Sequence, residues 1–349
     1  MKHSLMAVAL LGAFAGVAQA QTAVQIYGTI DAGIIKRSGE SLNIGKRASN
    51  TLGIKGTEDL GNGLKALFQL EMRYEPDTGT NEIGGNGSQR PLFQGQSRVG
   101  LQGDFGIVRI GRGLTPYHET IGAFDPFHAS PSPAGFWTDL TVAGYNSQPL
   151  DVAGYSNNRY SNAAWYNSPI VSGFQLNTAI ATKEGGGGPA VVGRGTLTNP
   201  QYPAAAEASA NPFSISGTYN NGPAAFMAAY ERNAIESKVW SVGASFAATP
   251  ELKLMGTYSE QDQEHTRIAN ANTKAWVLGA NYTMGPGKVL AGYGQKDVDG
   301  LQKVKQLSLG YEYSLSKRTY LYVDASRKKG INALQSTVNH YDVGVNHSF

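Results

Sequence analysis

The stretch Leu64-Lys65-Ala66-Leu67-Phe68-Gln69-Leu70-Glu71-Met72-Arg73-Tyr74 decides the fold class. Apolar and polar side chains alternate along it with period two, which puts one set on each face of a β-strand. Val24-Gln25-Ile26-Tyr27-Gly28-Thr29-Ile30-Asp31 does the same. So do Trp240/Val242/Ala244/Phe246, Trp276/Leu278/Ala280/Tyr282, Leu307/Leu309/Tyr311/Tyr313 and Tyr341/Val343/Val345/Phe349, with Ser, Gly, Asn, Gln, Lys and Glu between them. Tight turns such as Asp59–Gly63, Gly103–Gly106 and Met284–Gly287 alternate with long loops at 38–48, 76–91, 113–158, 184–210 and 261–272. That punctuation describes an up-and-down meander of about sixteen strands.

Composition excludes the main alternatives. Of 349 residues 44 are Gly and 18 Tyr, charged residues are 16%, and the net charge is only +3, where ordinary globular chains carry roughly 25% charged residues. Disordered chains have few aromatics, helical membrane proteins need apolar runs of about 20 residues, and without a basic run nucleic acid is not an expected partner. With no Cys, disulfides and thiolate chemistry drop out. Met1-Lys2-His3, the apolar run Leu5–Val17 and Ala18-Gln19-Ala20 have the three parts of a secretory signal peptide. The reading is therefore a leader at 1–20 and one β domain at 21–349.

Full charges at mid-strand (Lys65, Glu71, Arg73, Arg98, Arg109) would be costly in a packed sandwich core. On the inner face of a transmembrane barrel they meet water while the apolar face meets lipid. Strands of about ten residues suit a tilted bilayer crossing. Aromatics near strand ends (Tyr74, Phe93, Phe105, Tyr166, Phe174, Tyr282, Tyr313) fall where interfacial girdles lie. The expected fold is all-β: a transmembrane antiparallel barrel.

The chain also resembles a known family, the general porins of Gram-negative outer membranes, in their betaproteobacterial branch. The residues that carry the resemblance are Val24–Gly33, the most specific run Leu52-Gly53-Ile54-Lys55-Gly56-Thr57-Glu58-Asp59-Leu60-Gly61-Asn62-Gly63-Leu64-Lys65-Ala66, Phe105–Arg112, Asn167-Ser168-Pro169 with Gly173-Phe174, Tyr219–Pro223 and His347-Ser348-Phe349. The resemblance implies a sixteen-stranded homotrimeric barrel whose third external loop folds into the lumen as a constriction. It implies that Tyr341, Val343, Val345 and Phe349 form the signal read by the barrel-insertion machinery. Anion-preferring relatives carry a ring of lumen arginines. One matches Arg159, another falls at Thr51, and a third lies near Gly95-Gln96, where Arg98 is the candidate replacement. These departures imply a mild anion preference rather than a strong one.

Read from the residues alone, 113–158 is the longest strandless stretch, which favours function. It holds Phe124, Pro126, Phe127, Pro131, Pro133, Phe136 and Trp137, so it reads as a stiff segment packed on a wall. Strand parity points Lys55, Lys65, Glu71, Arg73, Arg98, Arg109 and Arg159 inward, and the loop offers Glu119 and Asp125. Such charges either set a transverse field for permeating solutes or pair to hold loop to wall, and the two roles are compatible. No H-E-x-x-H, G-x-S-x-G or G-x-x-x-x-G-K-[ST] occurs, and the loop residues His118, His128, Asp125 and Ser130 lack metal or triad spacing. The expectation is no enzyme, no cofactor and no metal, but passive diffusion of small hydrophilic solutes and ions through the outer membrane, reached through the periplasm. A solute-specific channel and a plugged adhesive barrel are the alternatives.

Overall fold

Each period-two stretch forms a strand, and the turn residues between them close hairpins. The computed structural model describes residues 23–83, 89–150, 157–183, 210–262, 272–330 and 337–349. The leader at 1–20 lies outside them, as do most of the loop at 184–210 and 263–271. The strands are β1 (Ala23–Arg37), a short β2 (Asn43–Gly45), β3 (Thr51–Gly61), β4 (Leu64–Arg73), β5 (Gln96–Gly103), β6 (Gly106–Leu114), β7 (Arg159–Asn167), β8 (Phe174–Ala181) and β9 (Phe213–Asn221). They continue as β10 (Ala224–Arg232), β11 (Lys238–Ala247), β12 (Leu252–Asp262), β13 (Asn272–Met284), β14 (Gly287–Val298), β15 (Val304–Ser314), β16 (Thr319–Lys329) and β17 (Thr337–Ser348).

Every strand pairs antiparallel with its sequence neighbour, and β1 closes the sheet. Its residues Ala23–Thr29 pair with β3, while Thr29–Arg37 pair with β17. At the seam Gly28 and Phe349 exchange backbone hydrogen bonds of 3.1 and 3.0 Å. A side chain at Gly28 would collide with the Phe349 ring and the Thr51 carbonyl. Since β2 only caps part of β1, the barrel has sixteen staves. Closure pairs β1 with both β3 and β17, so neither end of the sixteen-strand sheet is left as a free edge.

The faces divide as the alternation requires. Leu278, Leu309 and Val343 are 61, 54 and 52% exposed on the outside, with Phe105, Phe174, Tyr282 and Tyr313 exposed near the tight turns. No helix among the described residues is long and apolar enough to cross a membrane; the strands form an apolar outer belt of the kind that does.

The third long loop supplies the interior. Helix α1 (Pro116–Ile121) starts with Pro at its first turn and with the Thr115 hydroxyl accepting from the His118 amide, a standard N-cap. A 3-10 turn (Gly122–Phe124) and a π-turn (Trp137–Thr141) follow. The loop's apolar side chains form two clusters against the wall. Tyr117, Ile121, Phe124 and Trp137 pack with Met227, Ala229 and Val239. Phe127, Phe136 and Leu140 pack with Val277 and Leu290. The wall accepts them because its inward positions are small. A Cβ on Gly279 would lie 2.4 Å from the Pro126 ring, and one on Gly292 2.4 Å from Phe136.

Candidate functional site

With the loop laid on β10–β15, the space left open faces β3–β7, where the inward positions are charged. Arg98 on β5 donates from Nε to the Gln69 amide oxygen at 3.1 Å. Its Nη1 lies 3.3 Å from Glu119 Oε1, and Arg109 Nη2 on β6 lies 3.9 Å from Glu119 Oε2. Glu119 thus bridges from α1 to two arginines on neighbouring strands. Arg109 also donates to Asn167. Lys55 on β3 is exposed, with Nζ 5.1 Å from the Tyr27 ring centre. Gln25, Lys55, Gln69, Arg98 and Arg109 line a cavity of about 390 Å³. Glu119, Asn167, Gln175, Asn177, Asn220 and Lys253 line another of about 310 Å³. Three cations (Lys55, Arg98, Arg109) against one carboxylate leave this side positive.

Glu71 and Arg73 on β4 are tied into the wall. Glu71 is buried, accepts from the Tyr27 hydroxyl at 3.0 Å and lies 3.8 Å from Arg73. Arg73 donates to the Ser49 hydroxyl at 2.9 Å. Lys65 is inward and exposed next to the tight turn, opposite Asp59 and Gln102 in register. That is the end of the barrel remote from the long loops, so Lys65 belongs to a mouth and not to a constriction.

Two expected pore residues are corrected. Arg159 is inward but has no exposed surface; its Nε donates to the Gly95 carbonyl and its Nη1 to Asn158 Oδ1, both at 2.6 Å. It ties the segment before β5 to the start of β7 and presents no surface to solute. Asp125 is 2% exposed, accepting from the Phe127 amide and the Thr141 hydroxyl, both at 2.8 Å. It pins the loop's own fold. Burial pushes its carboxyl up to about 6, hydrogen bonds from Thr141, Phe127 and the Ala129 backbone opposing the rise. His118 is enclosed beside Thr115 and Ser147, and burial, aided by the Arg159 charge, pushes its imidazole down to about 3. Asp125 and His118 are thus engaged by separate partners within the loop.

Sequence reading missed Arg47 and Arg112. Arg47, in the segment between β2 and β3, turns into the lumen and forms ion pairs of 2.7 Å with both Glu312 and Asp324. Arg112, on β6, donates to the Gln94 carbonyl at 3.0 Å and to the Ser161 hydroxyl. A register shift at Gly111/Gly113 disturbs the parity that would have placed it, and Arg47 lies outside any alternating run. The loop is further clamped by Asp139, which pairs with Lys296 and Lys328.

Residues 7–332 match the model of the Gram-negative porin family. Outer membrane porin protein 32 of Delftia acidovorans is 30% identical over 340 residues, covering 92% of this chain and 88% of the relative. An outer membrane porin protein of Bordetella pertussis is 28% identical over 415 residues and matches along the full length of both. Among solved structures, an anion-selective porin from Comamonas acidovorans superposes with a TM-score of 0.75 at 24% identity, covering 94% of this chain and 100% of the other. The trimer form of OmpT from Vibrio cholerae does so at 0.67 and 12% identity, covering 94% and 99%. Both likenesses are of fold.

Proposed function

Because the chain belongs to the Gram-negative porin family, and so forms a passive channel in the outer membrane, we propose that its lumen is a non-specific path for small hydrophilic solutes and ions with a mild anion preference. The observation that carries the sign is the Arg98–Glu119–Arg109 bridge with Lys55 beside it. The carboxylate offsets part of the basic wall and leaves a small positive excess where the loop narrows the lumen. At 4 Å two unit charges interact by about 1 kcal/mol in water and about 4 kcal/mol at a protein surface, enough to bias ions without binding them. The anion-selective neighbour supports the same sign.

Two further readings accompany this one. A homotrimer is supported by the trimeric solved neighbour. The carboxy-terminal Tyr341, Val343, Val345 and Phe349, all exposed outward, are the proposed signal to the insertion machinery. Deleting Phe349 also removes both seam bonds to Gly28, and heat-modifiable barrel recovered from outer membranes should fall.

Planar-bilayer recording tests the main proposal. Steady single-channel conductance and a zero-current potential of anionic sign under a tenfold KCl gradient are expected. A cation-selective potential overturns the assigned sign. Block by one particular solute would establish a specific channel, and silence a plugged barrel.

A further inference from the structure

The open wall carries two inward rows of different chemistry, and strand register stacks one on the other. On the side of the long loops, Gln25, Lys55, Gln69 and Arg98 stand in register across β1, β3, β4 and β5. Two residues along each strand toward the tight turns lies a second row, Ala23, Thr57, Leu67 and Gly100, which Arg109 continues on β6. The first row is polar and cationic; the second is aliphatic or small. Ile107, two residues before Arg109, adds a branched chain at the lower edge, and both rows line the cavity of about 390 Å³. Leu67 and Ile107 are only half-buried, so each keeps aliphatic surface in contact with lumen water. A Cβ on Gly100 would lie 2.7 Å from Arg109 Cγ. The Arg109 stem therefore lies across the glycine and adds its methylenes to the apolar row, while its guanidinium reaches Glu119 and Asn167.

The charge of the upper row is not fully matched. Glu119 is shared between Arg98 and Arg109, and among the described residues Lys55 has no ion-pair partner. A carboxylate placed there gains charge-assisted hydrogen bonds. At about 3.4 Å of rise per residue the rows are about 7 Å apart, the reach of an anion the size of benzoate. The body of such an anion, lying toward the tight turns, covers Leu67 and Ile107 and removes apolar surface from water. Chloride or acetate gains the first contact and little of the second.

We propose that this niche is a subsite for amphiphilic monocarboxylates, with the carboxylate at Lys55 and Arg98 and an aryl or branched alkyl body on Leu67 and Ile107. The inference deepens the anion preference proposed above and rests on it. The contact is shallow and open to the lumen, so it favours passage of these anions over hydrophilic ones and leaves the path open to both. Salt weakens the head contact by screening and leaves the apolar contact in place.

The test is the zero-current potential of the full barrel in a planar bilayer with sodium benzoate on one side and sodium acetate at equal concentration on the other. On size alone benzoate passes less readily than acetate. Wild type is expected to reverse that order, with a benzoate-to-acetate permeability ratio of at least two. Leu67→Asn/Ile107→Asn should bring the ratio below one, and Thr57→Val, which enlarges the apolar row with a strand-forming residue, should raise it about twofold. Heat-modifiability checks that each variant is folded; if the double variant is not, the wild-type ratio and Thr57→Val decide. A wild-type ratio below one overturns the inference, as does a folded double variant that keeps the wild-type ratio. Benzylammonium favoured over methylammonium by the same factor would overturn the role of the cationic row. A KCl gradient across the same membranes separates this from the parent reading: a cation-selective wild type overturns both, whereas an anion-selective one that passes acetate more readily than benzoate overturns the subsite alone.

Discussion

The two inner walls of this barrel have the same backbone and opposite tasks. On β10–β15 the inward positions beneath the loop's rings are small or apolar, such as Met227, Ala229, Val277 and Gly292, and Phe124, Phe127, Phe136 and Leu140 cover them. A hydrogen bond between the Tyr117 and Ser241 hydroxyls at 2.7 Å and one from Ser259 to the Thr141 carbonyl at 2.7 Å fasten it. On β3–β7 the inward positions are long and charged, and the loop reaches toward them through Glu119. On the proposed function, one wall seats the loop and the other biases which ions pass. A residue's effect should therefore follow the wall it serves, with stability changes on the first and selectivity changes on the second.

The largest effect belongs to the covered wall. Phe136 is 1% exposed and packs edge-on to Phe127 at 5.8 Å, so Phe136→Ala should cost about 3–5 kcal/mol of loop attachment. The expected readout is a noisier single-channel current, roughly twofold larger as the loop leaves part of the lumen. Gly292→Val would push on the Phe136 ring from the wall side and should act alike. A quiet, unchanged current in both would show that packing does not seat the loop.

Asp125 makes the attachment pH-dependent. Its carboxyl is raised from an unfolded value near 3.8 to about 6, so its stabilising contribution is complete below about pH 4 and is lost as pH rises through 6. The difference is on the order of 3 kcal/mol at neutral pH. Subtracting the Asp125→Asn thermal midpoint from wild type between pH 4 and 8 isolates this group. The wild type should lose ground as pH rises, and parallel curves would refute the assignment.

Arg159 and Arg98 divide the charged wall in two. Arg159→Ala removes charge-assisted hydrogen bonds to Gly95 and Asn158, each worth about 1.5–3 kcal/mol. It should lower the unfolding temperature and leave the zero-current potential alone. Arg98→Ala should do the opposite, with the smallest energy of the four, about 1 kcal/mol per charge interaction. Its shift of the potential should be clear in dilute KCl and fade toward molar salt, where screening acts within about 3 Å. If Arg159→Ala moved the potential as far as Arg98→Ala, the distinction between sealed and open arginines would fail.

Much of this molecule is local in origin. Period-two alternation such as Leu64–Tyr74 places each side chain on a face, and strand length with turn-and-loop punctuation leads to a sixteen-stave barrel. Those features depend on neighbours one and two residues away, so the chain displays them. The same parity put Lys55, Arg98, Arg109 and Arg159 inward together, but it carries no information about what lies across the lumen. Whether an inward arginine meets water or protein depends on what packs around it. Arg98 meets Glu119 beside open space, whereas Arg159 is enclosed and bonded to Gly95 and Asn158. Asp125 is legible as a loop carboxylate, but its enclosure by Phe127 and Thr141 comes from a turn that alternation cannot specify. Arg47 enters the lumen from a non-repeating segment and finds Glu312 and Asp324 more than 260 positions away. The stacking of the Ala23, Thr57, Leu67 and Gly100 row beneath Lys55 and Arg98 is likewise a property of register. Periodicity is set along the chain; burial, pairing and register are set between segments that meet only when the barrel closes.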